Sequence, residues 1–506
     1  MRSWYRTADR NVPFRGSAWF LGVVLLSGAL LLTLRVVRAD TGAAQEATGF
    51  FARVTAGEAS VASVLAPVAI EAAGAVSHTV YLPLMFGLQA PLPFGVQVNH
   101  IEPRTTVGAA SAGADWVRVR LFWDAIEPTN TTPENYRWSP GLEQELASYA
   151  ANHVRVVLTI MGNPDWAATY PAGPIDKVDI GELVQFMQAV VDRYGAPPYN
   201  VKHWEMYNEP DNADPNRAKM GWWGYFGDNP QAYVDLLEAV YQPVKAVDAG
   251  AQVVFGGMSY DNWEPNGPFV RTFLDDVLAI MQANSRYPFD VMNFHYYPIF
   301  ASNWSAYGID IIGKTNFIRD KMIAYGTDKP LICTETSMWS NCLDEDLEVV
   351  CGSDEKQSRY VVQVNTRSQA AGLDFTIWFM LYDSADLATK YGLLDEAYAP
   401  KPSHQAYLTL GEQLLQTHYS RTLDAGETGS DQIEAYEFLQ RDGIHRVVVA
   451  WSNDDLDYTM RLPGASLVKV GKYGDEAIIY DGDDGQADGY VTVNIGPSPV
   501  YLRLDQ

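Results

Sequence analysis

Positive charge is scarce in this chain: 36 Lys and Arg stand against 62 Asp and Glu, a formal net charge of −26 over 506 residues. Binding along a phosphate backbone takes clustered Lys and Arg, so this balance argues against a nucleic-acid partner. It suits a soluble exported protein or a neutral substrate. Histidine is sparse as well. The eight histidines form no His-x-Glu-x-x-His motif and no close His/Asp cluster, and no Gly-rich phosphate loop stands out. No metal and no cofactor is therefore expected. Cysteine is rarer still, with Cys333, Cys342 and Cys351 only. Cys333 lies in the apolar run Leu331-Ile332-Cys333 and reads as a buried filler, not a nucleophile. Charged residues make up 19% and hydrophobic ones 47%, a globular composition and not a disordered one.

What the chain does have begins at its N-terminus. Arg2, Arg6, Arg10 and Arg15 precede an apolar stretch from Ser17 to Leu34, followed by Arg35 and Arg38. A positive segment before a hydrophobic one directs export, so residues 1–39 are expected to act as a signal peptide or a signal anchor. The stretch 17–34 is about long enough to anchor the chain in a bilayer, and no clean cleavage site flanks it. Either way the bulk is expected outside the cytoplasm, secreted or anchored to the outer face of the membrane. In that compartment Cys342 and Cys351 can close the acidic run Leu343–Val350 with a disulfide; two free thiols are the alternative.

Residues 40–92 are rich in Ala, Val, Gly and Thr and read as a linker, with one short apolar run at Val80-Tyr81-Leu82-Pro83-Leu84. From Phe94 onward short apolar runs alternate with amphipathic stretches of helical period, the pattern of a parallel sheet in βα units. Eight strands are predicted: 94–99, 116–122, 154–160, 203–208, 252–256, 291–295, 331–334 and 375–379. Asp179-Ile180-Gly181-Glu182 is expected to form a capping box ahead of a helix over Leu183–Tyr194. Eight units suit a (β/α)8 TIM barrel over residues 93–416. An open doubly wound sheet is weakened because no G-x-G-x-x-G follows the first strand. After a helix over Ser403–Leu415, apolar runs such as Arg446–Trp451 alternate with Gly/Asp turns such as Asp481–Gly485. Residues 417–506 are thus expected to form a small all-β, sandwich-like domain packed on the barrel.

Two strand ends carry glutamates. In Trp204-Glu205-Met206-Tyr207-Asn208-Glu209-Pro210, strand four gives way to a loop at Glu209; in Leu331-Ile332-Cys333-Thr334-Glu335, strand seven ends on Glu335. Barrel enzymes keep their active sites at the C-terminal ends of the strands, so both carboxyls belong to one mouth. Such a pair can protonate a leaving oxygen from one side while attacking, or activating water, from the other. An Asn-Glu-Pro arises by chance in roughly one chain of this length in twenty, so alone it is only suggestive.

Joined to its neighbours, this pattern resembles the retaining glycoside hydrolases with catalytic glutamates after strands four and seven, with families 39 and 5 nearest in character. The resemblance covers about Phe94–Leu415. It implies Glu209 as acid/base, Glu335 as nucleophile and Asn208 on the sugar 2-hydroxyl. Further matches are Trp116–Trp123, whose Arg118 would hold the nucleophile ionised, and Asn163-Pro164-Asp165-Trp166-Ala167, which brings Trp166 to the mouth. His295-Tyr296-Tyr297 would place His295 near substrate and Tyr297 on the nucleophile. Trp378 would form the platform beneath the sugar, and Tyr391–Asp395 with Lys401-Pro402-Ser403 resembles the run into the last helix. Arg120 shares the parity of Arg118 and could take its role. Glu205 lies deeper and is expected to pair with a barrel arginine.

The reading is a retaining enzyme acting on a β-linked glycan or glycoside, with a carbohydrate as partner and carboxyl groups about 5–5.5 Å apart. A surface glycan-binding protein without turnover, or a transglycosylase using the same residues, stays open. The aromatic cluster Trp222, Trp223, Tyr225 and Phe226 could line outer subsites or simply pack its loop.

Overall fold

A computed structural model of the protein describes residues 92–99, 103–259, 261, 267–342 and 351–504. The export segment, the linker up to residue 91 with its short apolar run, and the acidic run Leu343–Val350 lie outside the described residues. Among the described residues no helix is long and apolar enough to cross a membrane.

The eight expected strands are present, each with ends within a few residues of the prediction: β1 (Phe94–Val98), β2 (Trp116–Phe122), β3 (Arg155–Met161), β4 (His203–Met206), β5 (Gln252–Val254), β6 (Met292–Tyr296), β7 (Leu331–Thr336) and β8 (Thr376–Trp378). They form one sheet of parallel neighbours in the order β5-β4-β3-β2-β1-β8-β7-β6. Bridges from Val254 to Val291 and from Met258 to Phe294 join its two ends and close the barrel.

Strand alternation explains what lies inside and outside. Val96, Val117, Val119, Leu158, Trp204, Met206, Met292, Phe294 and Trp378 face the helices and share one large core with them. The intervening residues point inward. Their lower layer is apolar, with Trp116, Val157, Val254, Val291, Ile332, Phe375 and Ile377 in one cluster. Gln97, Arg118, Thr159, Glu205, Asn293 and Thr334 are also fully buried, and form a wholly polar layer. An apolar floor thus lies beneath a polar layer that carries charge.

The capping box is corrected. The helix runs Gly181–Tyr194 with Ile180 as N-cap, already helical at φ −61° and ψ −16°, and no side chain caps it. Asp179 therefore lies one residue too early, and its Oδ1 instead accepts from the Gly181 N–H at 2.8 Å. The last barrel helix runs Pro402–Gln413. Cys342 and Cys351 are joined by a disulfide, and Cys333 is a buried free thiol whose pKa is pushed up to about 12, mainly by burial.

The tail is all-β, as expected. It comprises β9 (Thr417–Thr422), β10 (Ile433–Gln440), β11 (Arg446–Ser452), β12 (Tyr458–Pro463), β13 (Ser466–Gly471), β14 (Glu476–Tyr480), β15 (Tyr490–Ile495) and β16 (Val500–Leu504). Six strands form a sheet ordered β14-β13-β16-β11-β10-β9, and β12 pairs with β15. On β11, Val448 and Ala450 join Met460, Leu462, Val491 and Val493 of that ribbon in a sandwich core. Val447, Val449 and Trp451 face the other way, into the barrel's core. A buried ion cluster fastens the same seam. Arg367, on the helix Asp354–Ala370, donates to Glu434 of β10 at 3.0 and 2.6 Å and to Asp310, with its guanidinium 5.2 Å over the Trp451 ring. Burial opposes its charge, but Asp310 and Glu434 hold its pKa well above the ordinary value.

Removing one member of such a cluster strands buried charge. Arg367→Ala is expected to lose about 3–5 kcal/mol of stability. Calorimetry should show a fall of several degrees in Tm; an unchanged Tm would mean the cluster contributes no net stability.

Candidate active site

Backbone irregularities at the ends of β4 and β7 deliver both glutamates. Past Met206 the chain turns through positive φ at Tyr207 (64°) and Glu209 (48°). Asn208 bridges to Gly257, and the Glu209 N–H donates to the Gly257 carbonyl at 3.1 Å. Gly257 has to be glycine, because a Cβ there would lie 2.1 Å from His295 Nε2. On β7 the register slips: Phe294 pairs with Cys333, but His295 pairs with Glu335. Thr334 and Glu335 therefore both reach inward, the re-aiming that a β-bulge produces.

Arg118 anchors the polar layer. Glu205 receives it with both oxygens, Nε–Oε2 2.7 Å and Nη2–Oε1 2.9 Å. Its remaining bonds go to Thr159 (3.1 Å), Gln97 (2.8 Å), Asn208 Oδ1 (2.8 Å) and Glu335 Oε2 (3.2 Å). Burial works against the charge, yet Glu205, Glu335 and Glu209 keep the guanidinium above its ordinary pKa. Glu205 is further satisfied by Thr159, Asn293, Thr334 and the Gly257 N–H. It is a fully bonded structural carboxylate, paired with a barrel arginine as expected.

The two upper glutamates are held differently. Glu335 accepts from the Tyr297 hydroxyl at 2.6 Å and from Arg118, with Arg120 Nη2 4.0 Å away. Glu209 has one partner, His295 Nδ1 at 2.9 Å, while its Oε2 is buried without one. Burial, then the charges of Glu335 and Asp211, raise the Glu209 pKa well above the usual carboxylate range, with Arg118 and Arg217 opposing. Burial and the cations Arg118, Lys314 and Arg120 push the His295 pKa well down, so the imidazole is neutral. One oxygen from each glutamate and a His295 nitrogen all lie within 4.8 Å of one another. Three such ligand atoms could face a cation, but the guanidinium bonded to Glu335 and the second at 4.0 Å disfavour one electrostatically.

Of the other expected residues, Asn208 is held between Arg118 and the Trp222 carbonyl, to which its Nδ2 donates at 2.9 Å. His295 is completely buried, so it meets Glu209 and offers no open surface to a sugar. The expected platform is corrected. Trp378 is 0% exposed, packs in the outer core near Tyr360 and donates its indole N–H to the Tyr391 carbonyl. Strand parity is the reason: Phe375 and Ile377 point inward, so Trp378 points to the helices and Phe379 shares the inward parity. Phe379 meets Tyr391 at 5.2 Å, and Tyr391 in turn meets Tyr297 at 6.2 Å and Trp339 at 6.0 Å. This aromatic wall was missed; counting parity from Phe375 would have found its first member. Trp166 packs edge-on against Trp123 at 5.4 Å and donates to the Glu127 carbonyl, sealing its own loop. The aromatic cluster divides: Phe226 is core, packed on Tyr207, and Tyr225 lies against Tyr170, whereas Trp222 is 44% exposed.

No family model and no curated protein matches the chain. Solved structures do. A family 39 glycoside hydrolase from the gut symbiont Bacteroides cellulosilyticus WH2 is 20% identical, covering 85% of each chain with a TM-score of 0.62. A glucosidase from Croceicoccus marinus is 15% identical over 82% of this chain and 95% of its own, with a TM-score of 0.59. A monomeric beta-xylosidase from Caulobacter crescentus CB15 is 15% identical over 82% of this chain and 95% of its own, with a TM-score of 0.54. At these identities the likeness is one of fold: this chain has the barrel architecture of those glycosidases.

Proposed function

We propose that the protein is a retaining β-glycoside hydrolase, with Glu209 as acid/base and Glu335 as nucleophile. The observation that carries this is the approach of the two carboxylates, with oxygens within 4.8 Å. That spacing is close to the roughly 5–5.5 Å carboxyl separation of retaining enzymes and short of the roughly 6.5–9.5 Å of inverting ones. The shared fold with a family 39 glycoside hydrolase, a glucosidase and a beta-xylosidase supports the same reading.

Each side chain then has a task. Glu335, which accepts from Arg118 and Tyr297, attacks the anomeric carbon and forms a glycosyl ester. The neutral His295 donates from Nδ1 to Glu209 Oε1, the tautomer that leaves no unpaired N–H at its buried Nε2. The carboxyl proton is thereby kept on Oε2, facing the leaving oxygen. After that proton has gone, the Glu209 carboxylate takes one from the water that cleaves the ester. Asn208 has a second amide hydrogen for the sugar 2-hydroxyl. Export, with the barrel outside the cytoplasm and residues 17–34 as leader or anchor, belongs to the same proposal and rests on the N-terminal arginines and apolar stretch.

Turnover of a panel of aryl β-glycosides tests the roles. Glu335→Ala should abolish hydrolysis of every member. Glu209→Ala should lose about 10²–10⁴-fold on poor leaving groups, less on activated ones, and azide should rescue it as a β-glycosyl azide. An azide product of inverted configuration would sink the mechanism.

The acid must hold its proton, so activity should fall as pH rises through the elevated Glu209 pKa. Asp211→Asn removes one of the charges that raise it. The alkaline limb of kcat/KM should then move to lower pH by about one unit, and an unmoved limb would assign it to another group.

A further inference from the structure

Arg120 lies two residues along β2 from Arg118, with the same inward parity, yet its environment is the opposite. Arg118 shares its donors among five side chains. Among the described residues, no oxygen accepts a hydrogen bond from Arg120, and its Nε is buried without a partner. Its side chain is 11% exposed, and its closest approach to a carboxylate is the 4.0 Å to Glu335 Oε2. A buried, unpartnered Nε is costly, and the Nη donors are bonded to no protein oxygen among the described residues, so an incoming acceptor would find a free fork.

The surroundings orient it towards a ligand. Trp222 lies against the guanidinium at 5.3 Å, and Phe122 meets that indole edge-on at 5.9 Å. The Trp222 carbonyl is tied to Asn208, beside Glu209. The planar fork is thus presented within the mouth, next to the nucleophile, where the reacting sugar must lie. Burial and the repulsion of Arg118 lower its pKa to about 10, a charge that a neighbouring anion would restabilise. The chain's net charge of −26 disfavours anions at long range, so any attraction has to act locally, inside the pocket.

We propose that Arg120, backed by Trp222, reads an anionic group on the reacting sugar, a carboxylate or a sulfate ester, so that the substrate is an acidic glycoside. Both groups present the paired oxygens that match a guanidinium fork. The proposal rests on the glycosidase reading for the position of the sugar.

The test compares aryl β-glucuronide, aryl 6-sulfo-β-glucoside, aryl β-glucoside and aryl β-xyloside on the unaltered protein and on Arg120→Gln and Arg120→Lys. The expected result is a kcat/KM for one anionic glycoside at least about tenfold above that of the glucoside. Arg120→Gln should erase that ratio, mostly through KM, and Arg120→Lys should restore part of it. The glucuronide and sulfate arms tell the two sources of charge apart. Turnover of neutral glycosides as fast as of both anionic ones, abolished in Glu335→Ala, would overturn this proposal and leave the glycosidase reading intact. If nothing is hydrolysed, calorimetric titration of glucuronate, glucose 6-sulfate and glucose separates the two ideas. Anion-selective binding that Arg120→Gln removes would keep the anion site while the glycosidase reading falls. Binding without such selectivity, or none, would overturn the anion site as well.

Discussion

A single buried guanidinium organises the barrel mouth. Arg118 contributes a positive charge to a fully desolvated layer, and the two-toothed partnership with Glu205 is the largest contribution that makes this tolerable. Thr159, Asn293, Thr334 and the Gly257 N–H complete Glu205 from four other strands or their ends. Removing one partner of such a pair typically costs about 3–5 kcal/mol, because the other charge stays buried. The consequence for chemistry is positional. Arg118 also touches Glu335 and Asn208, so the loop after β4 and the bulge on β7 are referred to the same guanidinium.

Above that layer two residues of one type meet opposite surroundings. Glu335 accepts from a hydroxyl and a guanidinium. Glu209 has a neutral imidazole on one oxygen and nothing on the other, with the Glu335 charge close by. Like charges at this spacing repel, and with burial this raises the pKa of the less supported Glu209. His295 can be that close only because Gly257 has no side chain. The β domain is remote from this chemistry in chain order, but it shares the barrel's core through Val447, Val449 and Trp451.

Much of the architecture was legible because it depends on periodicity. The eight strands, the change to an all-β tail and the strand-end placement of Glu209 and Glu335 follow from short-range patterns of apolar residues and turns. The errors came where a pattern had to be counted with a one-residue tolerance. The sequence pattern suggests Trp378 for the mouth, yet Phe375 and Ile377 are inward and one step along a strand reverses the face. Conversely, strict alternation on β7 would turn Glu335 outward from the inward Thr334, and only the register slip against β6 brings both inside. Asp179 failed as a cap for a similar reason, since Ile180 had already entered the helix.

The amino-acid sequence by itself therefore determined the class of fold, the order of its strands, the pairing potential of Cys342 with Cys351 and the identity of the two mouth carboxylates. Those properties reside in local composition and spacing, which survive any detail of packing. Tertiary structure alone decided that the Glu209 pKa is raised, that Arg118 is fully bonded while Arg120 is not, and that Phe379 and Tyr391 build the aromatic wall. Each of these depends on residues far apart in sequence meeting within a few ångströms in a desolvated space. Electrostatic and hydrogen-bond energies change steeply over such distances, and no periodicity in the chain encodes them.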